Sequence, residues 1–353
     1  MTLHIPAERL CEFAAAAYRC VGIPGGDARR IAELQTEADL RGADGHGVFR
    51  LPQYIRRIKA GGVNVAPDIR IGRQTAAMAV VDGDNGMGHL VMRFAAQTAI
   101  AKAKQAGIAW VGVRMSNHAG PASLYATMPL DEGMIGMYFA VGNANHLAPW
   151  GGIELLLSTN PIAVAVPAQE EMPIVLDMAT TTAAYGKVKT AAQRGETMPP
   201  GWMIDFQGKP LTDPKRSDEG MLLPLGGMEA GFKGYGLSLV IGLLAGTLNG
   251  AAMGREVVDF NKDDRSVTNT GHAIVAIDPA AFGDAHQFRT QVDRLVRDIR
   301  GSKRLPGVER IWLPGEQSQA KRIERMKSGI PMPEPLLASL NRLAAELEIG
   351  KLA

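Results

Sequence analysis

Apolar residues recur every three to four positions through the first sixty residues. IPAERLCEFAAAAYRCVGI has helical spacing and stops near Gly22–Pro24, and GGDARRIAELQTEADLRGAD repeats the pattern and ends at Gly42. A third helix, LPQYIRRIKAGG, closes at Gly61–Gly62. Pro52 is tolerated in a first turn but not in a helix interior, so this helix begins near Arg50–Leu51. From about residue 76 short apolar runs alternate with helical stretches: MAVVDG, GHLVMRFAAQTAIAKAKQAG, IAWVGV, PASLYATMPLDEG and MIGMYFAV, followed by PIAVAVP and PIVLDMA. Strands alternating with helices predict an α/β sheet, largely parallel. A Gly/Pro-rich interval (about 194–235) precedes the apolar run LSLVIGLLAGTL (237–248), which is too short for a ~20-residue membrane span and reads as a buried core helix. HAIVAIDP reads as one more strand, and FRTQVDRLVRDIR and EPLLASLNRLAAELE as helices. The expected organisation is an α/β cofactor domain over 76–280 and a helical substrate and assembly domain built from both ends, 1–75 plus 281–353.

Composition narrows the function. The chain has 353 residues, 46% hydrophobic and 21% charged, enough for about two domains with sizeable cores. Its net charge of +2 comes without a basic block, which argues against nucleic acid as the main partner. Cys11 and Cys20 make no zinc or disulfide pattern, and both read as small buried hydrophobes in a helix. No basic segment followed by an apolar core opens the chain, so a cytoplasmic protein, not bound to membranes, is expected.

Candidate chemistry collects in five places. In RGADGHGVFRLPQY (41–54), His46 lies between two glycines just before a helix, and Arg50 stands at that helix's start. An arginine fork beside a helix N-terminus suits a carboxylate, and a histidine there can move a proton near neutral pH. The competing account is a loop histidine with an arginine on a solvated face. RMSNHAGPASLY and VGNANHLAPWGG each follow a strand, and ligands of open α/β sheets bind beyond strand ends, which favours His118 and Asn143, with His146 as a structural histidine. In LDMATTT, Asp177 could accept from a sugar hydroxyl and the threonines could hold phosphate, or all could cap a helix. GGMEAGFKGYG offers Lys233 and flexible backbone before a helix, a plausible phosphate cradle that is not a P-loop. There is no GxGxxG after an early strand, no GxSxG elbow, and no paired metal-ligand spacing, so no metal is expected.

RGADGHGVFRLPQYIRRIKAGGVN, SNHAG, APWGGIELLLSTNPIAVAVP, IVLDMAT, RGETMPPGW, FKGYG and WLPGE occur in one order across nearly the whole chain. In this the chain resembles the malate/L-lactate dehydrogenase family, which is unrelated to the Rossmann lactate and malate dehydrogenases. The resemblance implies an L-sulfolactate dehydrogenase-like, non-Rossmann α/β cofactor domain, a homodimer, and NAD or NADP as cofactor. It implies His46 as proton donor or acceptor, Arg50 holding the substrate carboxylate, Tyr54 lining the pocket and His118 at the active site. It places cofactor contacts at Asn143, Asp177, Met178, Ala179, Lys233, Pro314, Gly315 and Glu316. Two positions depart from the family pattern. Gly45 stands where many members have serine, and Phe232 where many have histidine.

The expected activity is hydride transfer between NAD(P) and a small 2-hydroxy acid or its 2-oxo acid. A reductase of cyclic imino acids needs the same groups and is the alternative. A binding protein that has kept the fold without catalysis is opposed by the intact His46, Arg50, His118 and Lys233.

Overall fold

The computed structural model describes residues 3–353. In chain order the elements are β1 (Leu3–Ile5), α1 (Ala7–Cys20), α2 (Gly25–Leu40), α3 (Leu51–Lys59), β2 (Arg70–Gln74), β3 (Met78–Asp82), α4 (Gly88–Ala106), β4 (Ile108–Ser116), α5 (Ser123–Ala126), β5 (Ile135–Ala140), β6 (Ile162–Val166), β7 (Ile174–Met178), α6 (Tyr185–Arg194), β8 (Met203–Asp205), β9 (Gly220–Leu222), α7 (Gly227–Ala245), β10 (Thr270–Ile277), α8 (Ala285–Gly301), α9 (Glu316–Ser328), β11 (Ile330–Met332) and α10 (Glu334–Glu346). The three N-terminal helices fall where the spacing predicts, and a 3-10 turn over Val48–Arg50 leads into α3 with Pro52 in its first turn.

Seven strands form the main sheet in the order β2-β3-β4-β10-β5-β6-β7. The expectation of a largely parallel sheet is overturned: only β3 and β4 run parallel, and every other pairing is antiparallel. Strand–helix alternation predicts crossovers, but β10, from far along the chain, inserts between β4 and β5 against both. The segments after β5 and β6 return without a crossover helix, so each next strand reverses.

Alanines and valines of α4 bury one face of the sheet, together with α5. On the other face α7 lies against β5 and β10 through Gly234, Ser238, Ile241, Gly242 and Ala245. The expectation that 237–248 is a buried core helix is corrected: small residues let one side approach the sheet, while Leu237, Val240, Leu243 and Leu248 are exposed, as are Met228 and Phe232 earlier in α7. By length and composition alone, Gly227–Asn249 could also cross a membrane. A second core joins α1, α2 and α3 to α10 and the β1–β11 pair, which brings both chain ends together. α8 packs elsewhere, with Val292 and Val296 against Val166 and Ile174 of β6 and β7. Cys11 is buried as expected, but Cys20, at the last turn of α1, is exposed.

Candidate active site

The loop between α2 and α3 is pinned from beneath. Tyr18 Oη donates to Gln35 Oε1 (3.0 Å), Gln35 Nε2 donates to the Gly47 carbonyl (2.9 Å), and the Val48 amide donates to Asp39 Oδ2 (2.8 Å). The two glycines around His46 do different work. A β-carbon on Gly47 would stand 1.9 Å from Asp39 Oδ1, so only glycine lets the loop close down on α2. Gly45 has open space on that side, and its carbonyl accepts from Arg50 Nε (3.0 Å). A serine hydroxyl is therefore not needed for local backbone geometry.

This pinned loop sets His46 beside His118, which sits two residues past the end of β4. Their rings lie nearly parallel, and His46 Nδ1 is 3.3 Å from His118 Nε2. The hydrogen-bond network assigns the protons. The Gly120 amide points at His118 Nδ1 (3.3 Å), and an amide only donates, so Nδ1 is the acceptor. Tyr54 Oη donates to the same nitrogen (2.5 Å). Neutral His118 then carries its proton on Nε2 and donates it to His46 Nδ1. Neutral His46 is left with its proton on Nε2. Burial, aided by the like charge of Arg50, lowers the His46 pKa to about 4. Burial first, then the neighbouring His46 and Arg50, holds His118 well below its ordinary value.

Arg50 is held in place by neutral partners. Its Nη1 donates to Gln53 Oε1 (2.8 Å) and Asn261 Oδ1 (3.3 Å), and the guanidinium lies 5.2 Å from the Phe260 ring centre. Phe260 stacks on His118 at 5.1 Å, tying the anion and proton sites together. Burial pulls the Arg50 pKa down, opposed by Tyr54 and Asp259. Among the described residues Arg50 has no ion-pair partner.

His46, Arg50 and His118 open onto a cavity of about 710 Å³ whose wall continues over Asn143, Asp177, Met178 and Ala179 to Gly315. Tyr54 lies buried behind His118 rather than on that wall. Asn143 Nδ2 is tied to Thr270 Oγ1 (2.5 Å), and Asp177 Oδ2 accepts from the Ser123 amide (2.8 Å). His146 stacks on Tyr185 at 3.7 Å. The reading of the threonines as a phosphate site is overturned: Thr180, Thr181 and Thr182 give their hydroxyls to the carbonyls of Thr159, Ala183 and Gly201.

Lys233, Pro314 and Glu316 are not part of the cavity wall. Lys233 is exposed on α7, its Nζ 5.9 Å from the Phe232 ring centre. The Pro314 carbonyl accepts from the Val175 amide, and Glu316 binds Arg300, Arg310 and the Leu313 amide. Sequence reasoning missed Phe260 and Asn261 of DFNKDD, and also Tyr185 and Lys189. The available signal was a strong polar cluster, DFNKDD, shortly before a strand.

The family model for malate/L-lactate dehydrogenase matches residues 5–341. The chain belongs to the malate/L-lactate dehydrogenase family. It is 38% identical over 352 residues to the malate dehydrogenase of Pyrococcus horikoshii, spanning 98% of this chain and 96% of that one. The solved structure of that enzyme superposes with a TM-score of 0.91 over 99% of this chain and 97% of the other, at 36% identity. The sulfolactate dehydrogenase structure from Methanocaldococcus jannaschii gives 0.89 at 34% identity, covering 99% and 98%. The (2R)-3-sulfolactate dehydrogenase (NADP(+)) of Chromohalobacter salexigens is 32% identical over 333 residues, 94% of this chain and 95% of that one. The fold is therefore the non-Rossmann one of this family, and the protein is an NAD- or NADP-dependent oxidoreductase acting on hydroxy acids.

The cavity has the groups a dinucleotide requires. The first turn of α6, which carries no side-chain cap, presents Tyr185, Gly186 and Lys187 to it, and a β-carbon on Gly186 would meet nothing. Helix-start amides and a lysine suit phosphate, and Pro121, Pro161, Val175 and Met178 supply flat apolar wall.

Proposed function

We propose that this enzyme interconverts a small 2-hydroxy acid and its 2-oxo acid, with His46 as the acid/base and Arg50 as the carboxylate anchor. The observation that carries this reading is the chain Gly120–His118–His46. It fixes the His46 proton on Nε2 beside an arginine without an ion pair, at one end of a dinucleotide-sized cavity. Nicotinamide held in this cavity would supply or take up the hydride at the substrate's C2. Arg50 holds the carboxylate, and the Phe260 ring keeps water from the guanidinium face. His46 Nε2 faces the substrate oxygen, and His118 holds the imidazole in register. Asn143, Asp177, Met178, Ala179, Gly315 and the first turn of α6 serve the coenzyme. Lys233, Pro314 and Glu316 lie outside the wall, and of the three only Pro314 is hydrogen-bonded to it, through the Val175 amide. The segments 1–75 and 281–353, apart from α8 on the sheet edge, form the helical unit that supplies His46 and Arg50, and 76–280 forms the α/β unit that supplies most coenzyme contacts together with His118, Phe260 and Asn261 at the substrate end.

The test is a panel of 2-oxo acids and cyclic imines with NADH and NADPH, run beside a fluorescence titration of each coenzyme. We expect saturable binding of one coenzyme and turnover confined to 2-oxo acids. Turnover confined to cyclic imines would replace the substrate assignment, and no coenzyme binding at millimolar concentration would remove the whole reading.

The protein in this reading is a soluble cytoplasmic homodimer, joined through the outward face of α7. Met228, Phe232, Val240, Leu243 and Leu248 are exposed along and just past this helix, an apolar stripe that a second copy would cover. Light scattering at micromolar concentration should give the mass of two chains. The mass of one chain would rule the pairing out.

A further inference from the structure

The turn that carries His46 is gripped from two sides. Residues 43–46 form a tight turn closed by the His46 amide on the Ala43 carbonyl (2.8 Å), with Asp44 and Gly45 at its centre. On one side the Gly45 carbonyl accepts from Arg50 Nε (3.0 Å). On the other, Arg325 of α9 binds the Asp44 carboxylate through both terminal nitrogens, with Nη2 3.3 Å from Oδ2, and its Nη1 also donates to the Asp39 carbonyl. The Arg325 side chain is only 11% exposed against 62% for Asp44, so the guanidinium sits under the loop and is not one half of a surface pair. Asp39 is also the residue whose carboxylate takes the Val48 amide. Burial pushes the Asp39 carboxyl well up; the Val48 amide and Arg325 work against this, so Arg325 favours the ionised form that pins the loop.

α9 can do this because its start belongs to the cavity. Gly315, Gln317 and Ser318 line it, and Ser318 Oγ donates to the Arg41 carbonyl (2.9 Å), where the loop leaves α2. At Gly42 (φ +79°) a β-carbon would stand 2.7 Å from Lys321 Cδ, so glycine lets helix and loop pack closely. One helix therefore holds the loop at its start and at the turn before His46. The imidazole has little slack, since His46 Nδ1 is already 3.3 Å from His118 Nε2. Resting on the acid/base reading above, we infer that Arg325 is a positioning residue for the reaction: it holds the Asp44 turn so that His46 meets both His118 and the substrate oxygen. Arg325 is not on the cavity wall and acts only through the turn. A displacement of about 1 Å at a reacting group can cost roughly a hundredfold in rate, so losing one of the two grips should appear in kcat.

The experiment compares Arg325→Met with the wild type, using a 2-oxo acid and the coenzyme that binds. The expected result is a kcat lower by roughly ten- to a hundredfold, with the coenzyme dissociation constant nearly unchanged. The same substitution in a His46→Ala background should cost little more, because the group it positions is gone. An unchanged kcat, or losses that add in the double variant, overturns the assignment. Amide exchange over residues 41–49, read by mass spectrometry without substrate, needs no turnover. It should be about tenfold faster in Arg325→Met, while exchange over α1 keeps the wild-type rate. Equal exchange over the loop, or faster exchange throughout the chain, also overturns it. Should Arg325→Met not fold, Asp44→Ala removes the partner at an exposed position. It should lower kcat and loosen the same loop, and wild-type behaviour in both refutes the grip. If His46→Ala keeps near-normal turnover, the acid/base reading falls while the exchange comparison still decides whether Arg325 holds the turn.

Discussion

Replacing His46 by alanine is expected to lower turnover by roughly 10²–10⁴-fold, the range for a lost general acid or base, with coenzyme binding nearly intact. The geometry ranks the two histidines. His118 is held by its neighbours on both ring nitrogens, with Tyr54 and Gly120 on Nδ1 and His46 on Nε2, whereas His46 has Nε2 left for substrate. His118→Asn should therefore retain more turnover than His46→Ala, because an amide still bonds to His46 Nδ1. Tyr54→Phe should cost about tenfold or less, since the Gly120 amide alone keeps the His118 tautomer. The pH profile carries the sign. With the free-enzyme His46 at about 4, kcat/KM for reduction falls as pH rises above that value, because the protonated form becomes scarce. Oxidation needs the neutral ring with Nε2 free, so the pair must shift to the tautomer in which His46 carries its proton on Nδ1, toward His118 Nε2, and His118 carries its own on Nδ1, toward Tyr54 Oη. With that shift independent of pH, the kcat/KM for oxidation stays level from neutral pH down toward the same value. Substrate carboxylate on Arg50 offsets the like charge that helps depress His46, so kcat for reduction should hold to higher pH than kcat/KM. Near-normal turnover in His46→Ala, with collapse in His118→Asn, would reverse the roles.

The sequence carried the placement of His46 and Arg50 further than the sheet. His46 and Arg50 were readable because a glycine loop, a first-turn proline and an arginine fall within a few residues, and the local rules for helix starts place them without tertiary information. His118 was readable because IAWVGV ends just before it. The strand directions were not, because β10 is separated from β4 and β5 by more than a hundred residues and its insertion depends on packing against α7. Periodicity gives a strand's faces but not its partner. Lys189 and Asn261 were unreadable for a related reason. They lie 72 residues apart, and only the fold makes them share an oxygen with Arg50. The error over LDMATTT has another origin. Threonine hydroxyls serve phosphate and backbone equally well, and burial of Thr180 and Thr181 decided for backbone. The contrast between Gly45 and Gly47 is likewise tertiary, since it is Asp39 of α2 that leaves Gly47 no room.

Stability should fall steeply in mild acid, and His89 offers the sharpest test. It is fully buried on α4 with the Tyr54 ring edge-on at 5.7 Å, and among the described residues neither ring nitrogen has a hydrogen-bond partner. Burial, with His46 adding like charge, lowers its pKa to about 3, and burial lowers buried His272 to about 4. These are bases depressed from an ordinary value near 6.5, so below that pH the unfolded chain takes up protons that the folded chain refuses. The stability they contribute is fully present above 6.5 and is lost as pH falls toward 4, at up to about 1.4 kcal/mol per pH unit for each. His89→Phe removes one of the two without leaving a hydrogen-bond partner stranded. Near pH 7 it should already be neutral to stabilising, because it removes polar atoms the fold buries without a partner among the described residues. From pH 7 to pH 5 the variant's margin over the wild type should grow by about 2 kcal/mol, read from urea midpoints at constant m-value. Identical pH slopes in the two proteins would show that His89 titrates normally in the folded state, which requires a proton acceptor or water beside it.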